Sequence, residues 1–384
     1  MILLRKIARP FAKTALTRSI HLDLQPRQCL NSRYEIIERL GQGQHSTVWL
    51  AHDKTRHSSQ VAIKVLKNTT TALQGTDVYE LEVLQTIAKL ADRLPHQAGS
   101  SHVLHLLDHF RVKGEDNDHL CLVTKVLGPH LLSVQRSFEA SRMPLSLVRH
   151  VTRQILEALA FLHDSCNIVH TGTHLQILYS FDRGPVSTLF VDIKQDNIMF
   201  DVYGNSSPNF LAANVILGDF DTAMPPRGDH QRLIQPVALR SPEVIAGCEW
   251  SVKSDIWNLG CIVFELLSGT PLFKPKQMEG DDGRMISAAQ VHFAHIYSHV
   301  WADNEEGGRL LIFFAGGSHF LDLFDYDLLK LKFGVDKYQS LQEVLQVYDL
   351  FTQELHDFLM SMLRIHPDDR LCARELLKHP WLCI

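Results

Sequence analysis

A lysine inside an otherwise apolar strand is the feature that most constrains this sequence. The segment QVAIKVL reads as a buried strand, and it contains Lys64. A charged side chain in such a strand is costly unless it is paired or meets an anion. Upstream, RYEIIERLGQGQHSTVWLAHD reads as strand, glycine turn, strand, and Gly41 and Gly43 let backbone amides approach phosphate oxygens. The two segments together predict a sheet that binds a phosphorylated ligand.

The glycine turn does not belong to either of the common nucleotide-binding loops that precede a helix. It lacks the G-K-[ST] ending of a P-loop, and a strand follows it where a dinucleotide-binding fold has a helix. The helix pattern DVYELEVLQTIAKLADRL comes after the lysine strand and offers Glu80 and Glu82 as partners for Lys64. We favour Glu80, with Glu82 as the alternative; a solvated helix face is the competing interpretation of both.

Composition and charge restrict the class of protein and its partners. The chain has 384 residues, 45% of them apolar, and its seven cysteines form no C-x-x-C pair, which argues against a disulfide framework or a zinc ribbon. Apolar runs such as LLIFF are far too short for the roughly 20 residues that span a membrane, so no membrane association is expected. Residues 1–33 carry a net charge of +6 and the remainder −11. The acidic body argues against nucleic acid and is compatible with a basic peptide substrate, with ordinary solubility as the competing interpretation.

The amino-terminal segment has two open interpretations. Its first twenty residues contain five basic residues and no acid, which is typical of a mitochondrial transit peptide and also of a disordered basic leader. We treat residues 1–33 as a basic leader, either disordered or targeting. The expected location of the chain is cytoplasmic, nuclear or both, with the mitochondrion as the alternative.

The second half of the chain carries the residue types of a metal-dependent transfer reaction. The segment DIKQDN places Asp192, Lys194 and Asn197 within six residues, and VILGDFDTA is a buried strand that leads to Asp219. Phosphoryl transfer needs a base, oxygen ligands for a metal and a clamp for the anion. A metalloenzyme built on histidine is not supported, because the 22 histidines show no recognised ligand spacing.

The ordered set of motifs resembles a eukaryotic protein kinase over about residues 34–384. The set is G-x-G-x-x-S-x-V, V-A-I-K, D-I-K-x-x-N, D-F-x, S-P-E, D-I-W-x-x-G and H-P-W-L. The segments STVWLAHD, HLCLVTKVLG and LRSPEV, with HT upstream of Asp192, resemble the SR-protein kinase family, which phosphorylates serines in arginine–serine repeats. The resemblance implies an α+β, two-lobed kinase fold, with an N-lobe and hinge at 34–127 and a C-lobe at 128–384.

The resemblance also implies a role for each motif residue, with ATP and Mg²⁺ as cofactors. Lys64 would hold the α- and β-phosphates and pair with Glu80, while Asp192 would accept the substrate proton and Lys194 would stabilise the transferred group. The implied Mg²⁺ ligands are Asn197 and Asp219. The implied nucleotide-binding residues are Leu40, Gly41, Gly43, Ser46, Val48, Ala62, Lys64, Lys125 and Leu127. The implied structural residues are Glu243, paired with Arg370, and Asp255, which would brace the catalytic loop.

The sequence departs from this family most at the catalytic loop. Joining Thr171 to Asp192 gives NIVHTDIKQDNIMF, a nearly complete catalytic loop, so residues 172–191 are an insertion. The inserted residues either loop out or let STLFV replace the strand before Asp192; both predict reduced activity. Twenty codons have the length of a short intron, and Gly172 and Val191–Asp192 can encode splice-site sequences, so we interpret the insertion as a retained intron.

Two further departures concern the metal aspartate and the substrate-docking region. Asp221 replaces the glycine of the D-F-G motif, and residues 276–340 match the family poorly, with apolar bursts and no clear helical period. The leading hypothesis is a monomeric protein serine/threonine kinase that acts on arginine–serine-rich proteins. The alternative is a catalytically impaired pseudokinase that acts as a scaffold, and a small-molecule kinase is a third, weaker interpretation.

Overall fold

The computed structural model describes residues 20–383 apart from short gaps and two longer ones. The gaps are 57–58, 77, 95–96, 115–116, 167, 169–192, 221–233, 281–282, 301–306, 326–329 and 333–338. The chain divides into two compact units, one of residues up to Gln74 together with Leu107–Thr124, the other of Gly75–Leu106 and Lys125–Ile384. Within the described residues, no helix combines the length and apolar character needed to cross a membrane.

The first unit is built on a six-stranded sheet. Its strands in chain order are β1 Cys29–Leu30, β2 Tyr34–Gln42, β3 Ser46–Asp53, β4 Ser59–Leu66, β5 Leu106–Lys113 and β6 Asp118–Lys125. They are arranged in the order β1-β2-β3-β4-β6-β5, and β1 to β4 pair antiparallel. A short helix, α1 Asn68–Ala72, follows β4. The alternation of apolar residues that predicts strands before and after the glycine turn therefore corresponds to β2 and β3.

One face of this sheet is covered by residues that precede β2. Leu24 and Leu30 are buried in the same apolar cluster as Trp49, Ile63 and Val123. The predicted leader, residues 1–33, overlaps this segment: residues 20–33 are described and contribute buried side chains to the sheet, while residues 1–19 lie outside the described residues. Burial of Leu24 and Leu30 stabilises the packed position of this segment by roughly 1.5–3 kcal/mol for each side chain.

A charged network ties three strands of the sheet together. The Arg33 guanidinium donates to both carboxylate oxygens of Asp53, at 2.8 and 2.6 Å, and to Asp108 at 3.0 Å. The Tyr34 hydroxyl donates to the same Asp108 carboxylate at 2.7 Å. Hydrogen bonds from Arg33 hold the pKa of Asp53 well below its usual value of 3.8, and two hydrogen bonds from Thr55 lower it further.

We expect this network to make the first unit acid-sensitive. Because the pKa of Asp53 is lower in the folded chain than in the unfolded chain, its stabilisation is complete above about pH 4 and is lost progressively at lower pH. The destabilisation caused by Asp53→Asn should therefore be largest near neutrality and shrink below about pH 4. Denaturant unfolding at several pH values measures this, with Asp118→Asn, an exposed carboxylate on the same sheet, as control. Equal pH dependence in Asp53→Asn and the wild type would contradict the assignment.

The second unit is mainly helical. Its longer helices are α2 Glu80–Arg93, α4 Leu145–Phe161, α6 Lys253–Ser268, α7 Ala288–Val300, α8 Gly307–Ala315 and α11 Gln353–Met362. Its shorter helices are α3 Leu131–Arg136, α5 Pro242–Ala246, α9 Phe320–Leu323, α10 Leu341–Val347, α12 Ala373–Leu376 and α13 Pro380–Cys383. Helix α6 is buried on nearly all sides and packs against α4 and α11. A six-stranded sheet in one unit and a mainly helical second unit confirm the predicted α+β class.

Three two-stranded ribbons complete the second unit. They are β7 Ile198–Phe200 with β8 Val215–Leu217, β9 Met278–Glu279 with β10 Met285–Ile286, and β11 Phe324–Asp325 with β12 Lys330–Leu331. The first of these ribbons carries functional residues at its ends. The other two lie in the region 276–340 that matches the family poorly.

An aromatic cluster accounts for the apolar bursts of that region. Phe293 on α7 contacts Phe314 on α8 and Phe324 on β11, with ring centroids 5.2 and 5.6 Å apart, and Phe320 stacks on Phe324 at 5.0 Å. The turn after α8 packs so closely that a Cβ on Gly317 would lie 2.3 Å from the carbonyl oxygen of Ala246. The described part of residues 276–340 therefore includes three helices and a packed core, although the sequence lacks a clear helical period.

Candidate functional site

Several predicted nucleotide-binding residues of the first unit share one face of the sheet. Gly41 pairs with Val48, and Val48 pairs with Lys64, so these three residues lie in a row across β2, β3 and β4. Directly opposed residues point to the same face, and so do residues two apart on one strand. Ser46 and Ala62 therefore share that face, while the intervening residues, such as Trp49 and Ile63, point to the apolar cluster on the other.

The glycine turn has open space above its first glycine. The Gly43 amide donates to the Ser46 carbonyl at 2.9 Å and closes the turn between β2 and β3. The β2–β3 pairing is irregular between Arg39 and Gly41, and a Cβ built on Gly41 would meet no atom within 4 Å. Leu40, beside it, is 43% exposed. This backbone is accessible to a ligand, as the phosphate-binding interpretation requires.

The two acidic candidates on α2 differ in burial. Glu80, the first residue of the helix, is 2% exposed, and Glu82 is exposed. A buried carboxylate must be paired or hydrogen-bonded to be tolerated, whereas an exposed one on a helix surface needs no partner. Burial is therefore the property that fits Glu80 for a structural ion pair, and its partnership with Lys64 stays a prediction.

The linker after β6 is joined to the β7–β8 ribbon. The Gly128 amide donates to the Phe200 carbonyl at 2.8 Å, and the Phe200 amide donates to Pro129 at 3.1 Å. A Cβ on Gly128 would lie 2.7 Å from a Val202 methyl, so glycine permits this approach. The predicted hinge residue Lys125 forms an exposed ion pair with Asp201, 2.6 Å apart, which the sequence did not predict. Leu127, which the resemblance also implies as a nucleotide-binding residue, is half-buried.

The two predicted metal ligands lie at the same end of the β7–β8 ribbon. Asn197 precedes β7, Asp219 follows β8 after one residue, and the Gly218 amide donates to the Asn197 carbonyl at 2.9 Å. Asp219 has φ of +60°, in the left-handed region that costs a non-glycine residue energy. Phe220 beside it is fully buried, which anchors the strained backbone.

This pair fits a magnesium ion. Carboxylate and amide oxygens are the ligands that Mg²⁺ prefers, and sites that act on phosphates use one or two protein oxygens together with phosphate oxygens. Among the described residues there is no group of three or more His, Cys, Asp or Glu side chains that could hold a metal by itself. Asn197 and Asp219 would hold the ion.

The residues of the catalytic loop are only partly described. Lys194 is half-buried, and its carbonyl accepts the Asn197 amide at 3.0 Å in a turn of 3₁₀ helix, Gln195–Asn197. Ile193, between Lys194 and the predicted base, is fully buried. Asp192, Thr171, Asp221 and the insertion 172–191 lie outside the described residues. Of the predicted catalytic loop, the structure thus defines the turn that connects Lys194 to Asn197.

Two predicted structural residues have partners in the second unit. The predicted pair of Glu243 and Arg370 is confirmed by two hydrogen bonds of 2.7 and 2.6 Å between side chains with no solvent exposure. Asp255 accepts a hydrogen bond from His163 at 2.8 Å, and His163 lies in the wide helical turn Leu162–Cys166 after α4. Asp255 therefore braces the segment that leads into the catalytic loop. Nothing in the local sequence around His163 indicates this partner.

Comparison with known proteins identifies the family. The protein kinase domain family matches residues 34–172 and 175–382, and the break between the two segments falls at the start of the predicted insertion. The chain belongs to the protein kinase family. The predicted resemblance to eukaryotic protein kinases of the SR-protein kinase type is confirmed by this match and by the named relatives.

The related kinases come from fungi, a slime mould and plants. Protein kinase dsk1 of Schizosaccharomyces pombe is 25% identical over 91% of this chain and 80% of its own length. Serine/threonine-protein kinase SRPK of Physarum polycephalum is 28% identical over 91% and 86%, and serine/threonine-protein kinase AFC2 of Arabidopsis thaliana is 27% identical over 92% and 77%. The chain is a serine/threonine protein kinase. These relatives give no support to the alternative of an inactive scaffold.

A solved structure gives the same fold. The kinase domain of PF14_0431, known from a crystal structure, superimposes with a TM-score of 0.67, covering 94% of this chain and 98% of that domain. At 21% identity this similarity supports the fold alone. It confirms the predicted kinase fold.

Proposed function

We propose that this kinase transfers the γ-phosphate of ATP to serine side chains in arginine–serine-rich proteins, with Mg²⁺ as cofactor. The observation that carries the proposal is the position of Asn197 and Asp219 at one end of the β7–β8 ribbon, joined by the Gly218–Asn197 hydrogen bond. Among the relatives, the name of serine/threonine-protein kinase SRPK of Physarum polycephalum supports the choice of substrate class. The acidic charge of residues 34–384 is compatible with a basic substrate.

Each residue has a defined task in the proposed reaction. The serine hydroxyl oxygen bonds to the γ-phosphorus as the bond from that phosphorus to the bridging oxygen of ADP breaks. Asp192 accepts the hydroxyl proton, and Lys194 stabilises the negative charge on the transferred group. Lys64 orients the α- and β-phosphates, while the backbone at Gly41 and Gly43 covers them. Mg²⁺, held by Asn197 and Asp219, would neutralise charge on the phosphates.

The proposal is tested by phosphate transfer to an arginine–serine repeat peptide. We expect transfer by the full chain, or by the chain lacking residues 172–191, and a loss on the order of 10²-fold or more in Asp219→Asn, since an amide cannot neutralise the metal. Asp322→Asn removes an exposed carboxylate on α9 and serves as the matched control.

The substrate class is tested with a second peptide in which lysine replaces every arginine. A site built for arginine uses its planar fork, so the lysine peptide of equal charge should be at least about tenfold poorer in kcat/KM. Equal use of both peptides would contradict recognition of arginine. In the assay with the arginine–serine repeat peptide, transfer that persists in Asp219→Asn would contradict the assignment of Asp219 as a metal ligand.

A further inference from the structure

Strand β8 is held from both sides by side chains of the second unit. Helix α4 contributes Gln154, whose side-chain oxygen Oε1 accepts a hydrogen bond from the Val215 backbone N–H at 2.6 Å. On the other side of the same residue, His102 Nδ1 lies 3.0 Å from the Val215 carbonyl oxygen. Both backbone groups of Val215 are thus bonded to side chains of residues that are less than 10% exposed. Val215 is the first residue of the strand that leads to Asp219.

His102 is in turn connected to α4. Its Nε2 lies 3.2 Å from a carboxylate oxygen of Glu157, one turn after Gln154 on the helix. The Val215 carbonyl oxygen and the Glu157 carboxylate are both hydrogen-bond acceptors, and each faces one of the two ring nitrogens of His102. The imidazole therefore bridges α4 and β8.

The backbone around His102 is shaped for this bridge. Gly99 precedes the 3₁₀ turn Ser100–His102, has φ of +95°, and a Cβ there would lie 1.9 Å from the Glu157 carbonyl oxygen. Glycine thus lets the turn approach α4. Two residues after His102, the Leu104 amide donates to the Leu217 carbonyl at 2.9 Å. The segment 102–104 accordingly follows β8 along its length.

The geometry points to His102 as a positioning residue for the metal ligand Asp219, acting through its contact with the Val215 carbonyl oxygen. This inference rests on the proposed function, since it concerns the metal site of that reaction. From Val215 the restraint passes along two further strand residues to Gly218, whose amide bonds to Asn197, and then to Asp219. His102 contacts β8 and not the metal ligands themselves. It limits movement of the strand that ends at Asp219, as residues that hydrogen-bond behind metal ligands do in general.

A cavity beside Glu157 offers a control substitution. A cavity of about 290 Å³ is lined by Glu157, Ala160 and Leu377, together with Gln97, Ala98 and Arg374. Leu377→Ala enlarges this cavity while leaving both contacts of His102 in place. It is the matched control for local loss of packing.

The two isosteric replacements of His102 separate positioning from packing. Asparagine presents an amide near the position of Nδ1 and retains the donor to Val215, whereas glutamine reaches the position of Nε2 and retains only the contact with Glu157. His102→Gln should raise the Mg²⁺ concentration needed for half-maximal ATP-dependent thermal stabilisation by about threefold to tenfold. His102→Asn should change this Mg²⁺ concentration less than about twofold. Leu377→Ala should lower the melting temperature and leave the Mg²⁺ concentration unchanged.

A second measurement needs neither metal nor nucleotide. Amide hydrogen exchange at Val215 and Gly218 should be at least about threefold faster in His102→Gln than in the wild type, and unchanged in His102→Asn. These readouts do not require phosphate transfer, so they decide the inference even if the proposed substrate is wrong. Equal behaviour of the glutamine and asparagine variants, or a Mg²⁺ requirement that follows the melting temperature in all variants, would overturn it.

Discussion

Deleting residues 172–191 is expected to raise the rate of phosphate transfer by about 10²-fold, because a catalytic base displaced by about 1 Å loses activity on that scale. Asp192 directly precedes Ile193, which is fully buried, and Ile168 on the other side is 4% exposed and bonded to Leu162. The insertion therefore separates two anchored residues that flank the predicted base. Entropy of loop closure contributes little to this effect, since it grows slowly with loop length.

The experiment compares four chains in the same transfer assay. They are the full chain, the chain lacking 172–191, that shorter chain with Asp192→Ala, and a chain in which a Gly–Ser sequence of equal length replaces 172–191. The Asp192→Ala change should abolish the gain. A Gly–Ser chain as active as the deleted one would indicate that the segment STLFV interferes, and a Gly–Ser chain as inactive as the full chain would indicate that the added length does. Equal transfer by the full and deleted chains would contradict the expectation, provided that both bind ATP with Mg²⁺.

Local periodicity was enough to predict the elements that carry the site. The strands before and after the glycine turn correspond to β2 and β3, the lysine strand corresponds to β4, and the helix pattern that contains Glu80 corresponds to α2. These segments each bury one face, so their apolar residues recur with the period of the element. The order of the short motifs then identifies the family, although each motif is weak alone.

The region 276–340 shows why periodicity fails elsewhere. On α7 the consecutive residues Val291, His292, Phe293 and Ala294 are all buried, and Ile296 is buried as well. A helix covered on every side has no polar stripe, so its sequence carries no helical period. The aromatic contacts that cover it come from Phe314 on α8, Phe324 on β11 and Phe273, and no local pattern indicates them.

Contacts between distant residues were equally inaccessible from the sequence. His102 and Val215 are 113 residues apart, and Lys125 and Asp201 are 76 apart. Each is a polar pair whose members lie in ordinary turns or strand ends. The one distant pair that was predicted, Glu243 with Arg370, came from the family resemblance and not from the local sequence.

Breaking the pair of Glu243 and Arg370 is expected to lower the free energy of unfolding by about 3–5 kcal/mol, because removal of one partner leaves a buried charge without compensation. Both side chains have no exposure. Burial alone would raise the pKa of Glu243, but the charge and hydrogen bonds of Arg370 outweigh it, and the pKa lies below its usual value. The carboxylate therefore remains ionised and depends on the guanidinium.

Other contacts make Arg370 the more sensitive of the two positions. Its guanidinium also donates to the carbonyl oxygens of Arg364, Lys253 and Ile365, at 2.7, 3.0 and 3.2 Å, and lies 5.0 Å above the Trp257 ring. Arg370→Met loses all of these, whereas Glu243→Gln retains a hydrogen-bond acceptor. We therefore expect the larger loss for Arg370→Met.

A double-mutant cycle in denaturant separates the pair from its surroundings. Glu243→Gln combined with Arg370→Met should cost less than the sum of the two single changes, because neither residue is then left as a lone buried charge. The comparison is made on the full chain with unfolding followed by circular dichroism. Single variants that each cost less than about 1 kcal/mol, or a double variant that costs the full sum, would show that the pair contributes no more than an exposed ion pair.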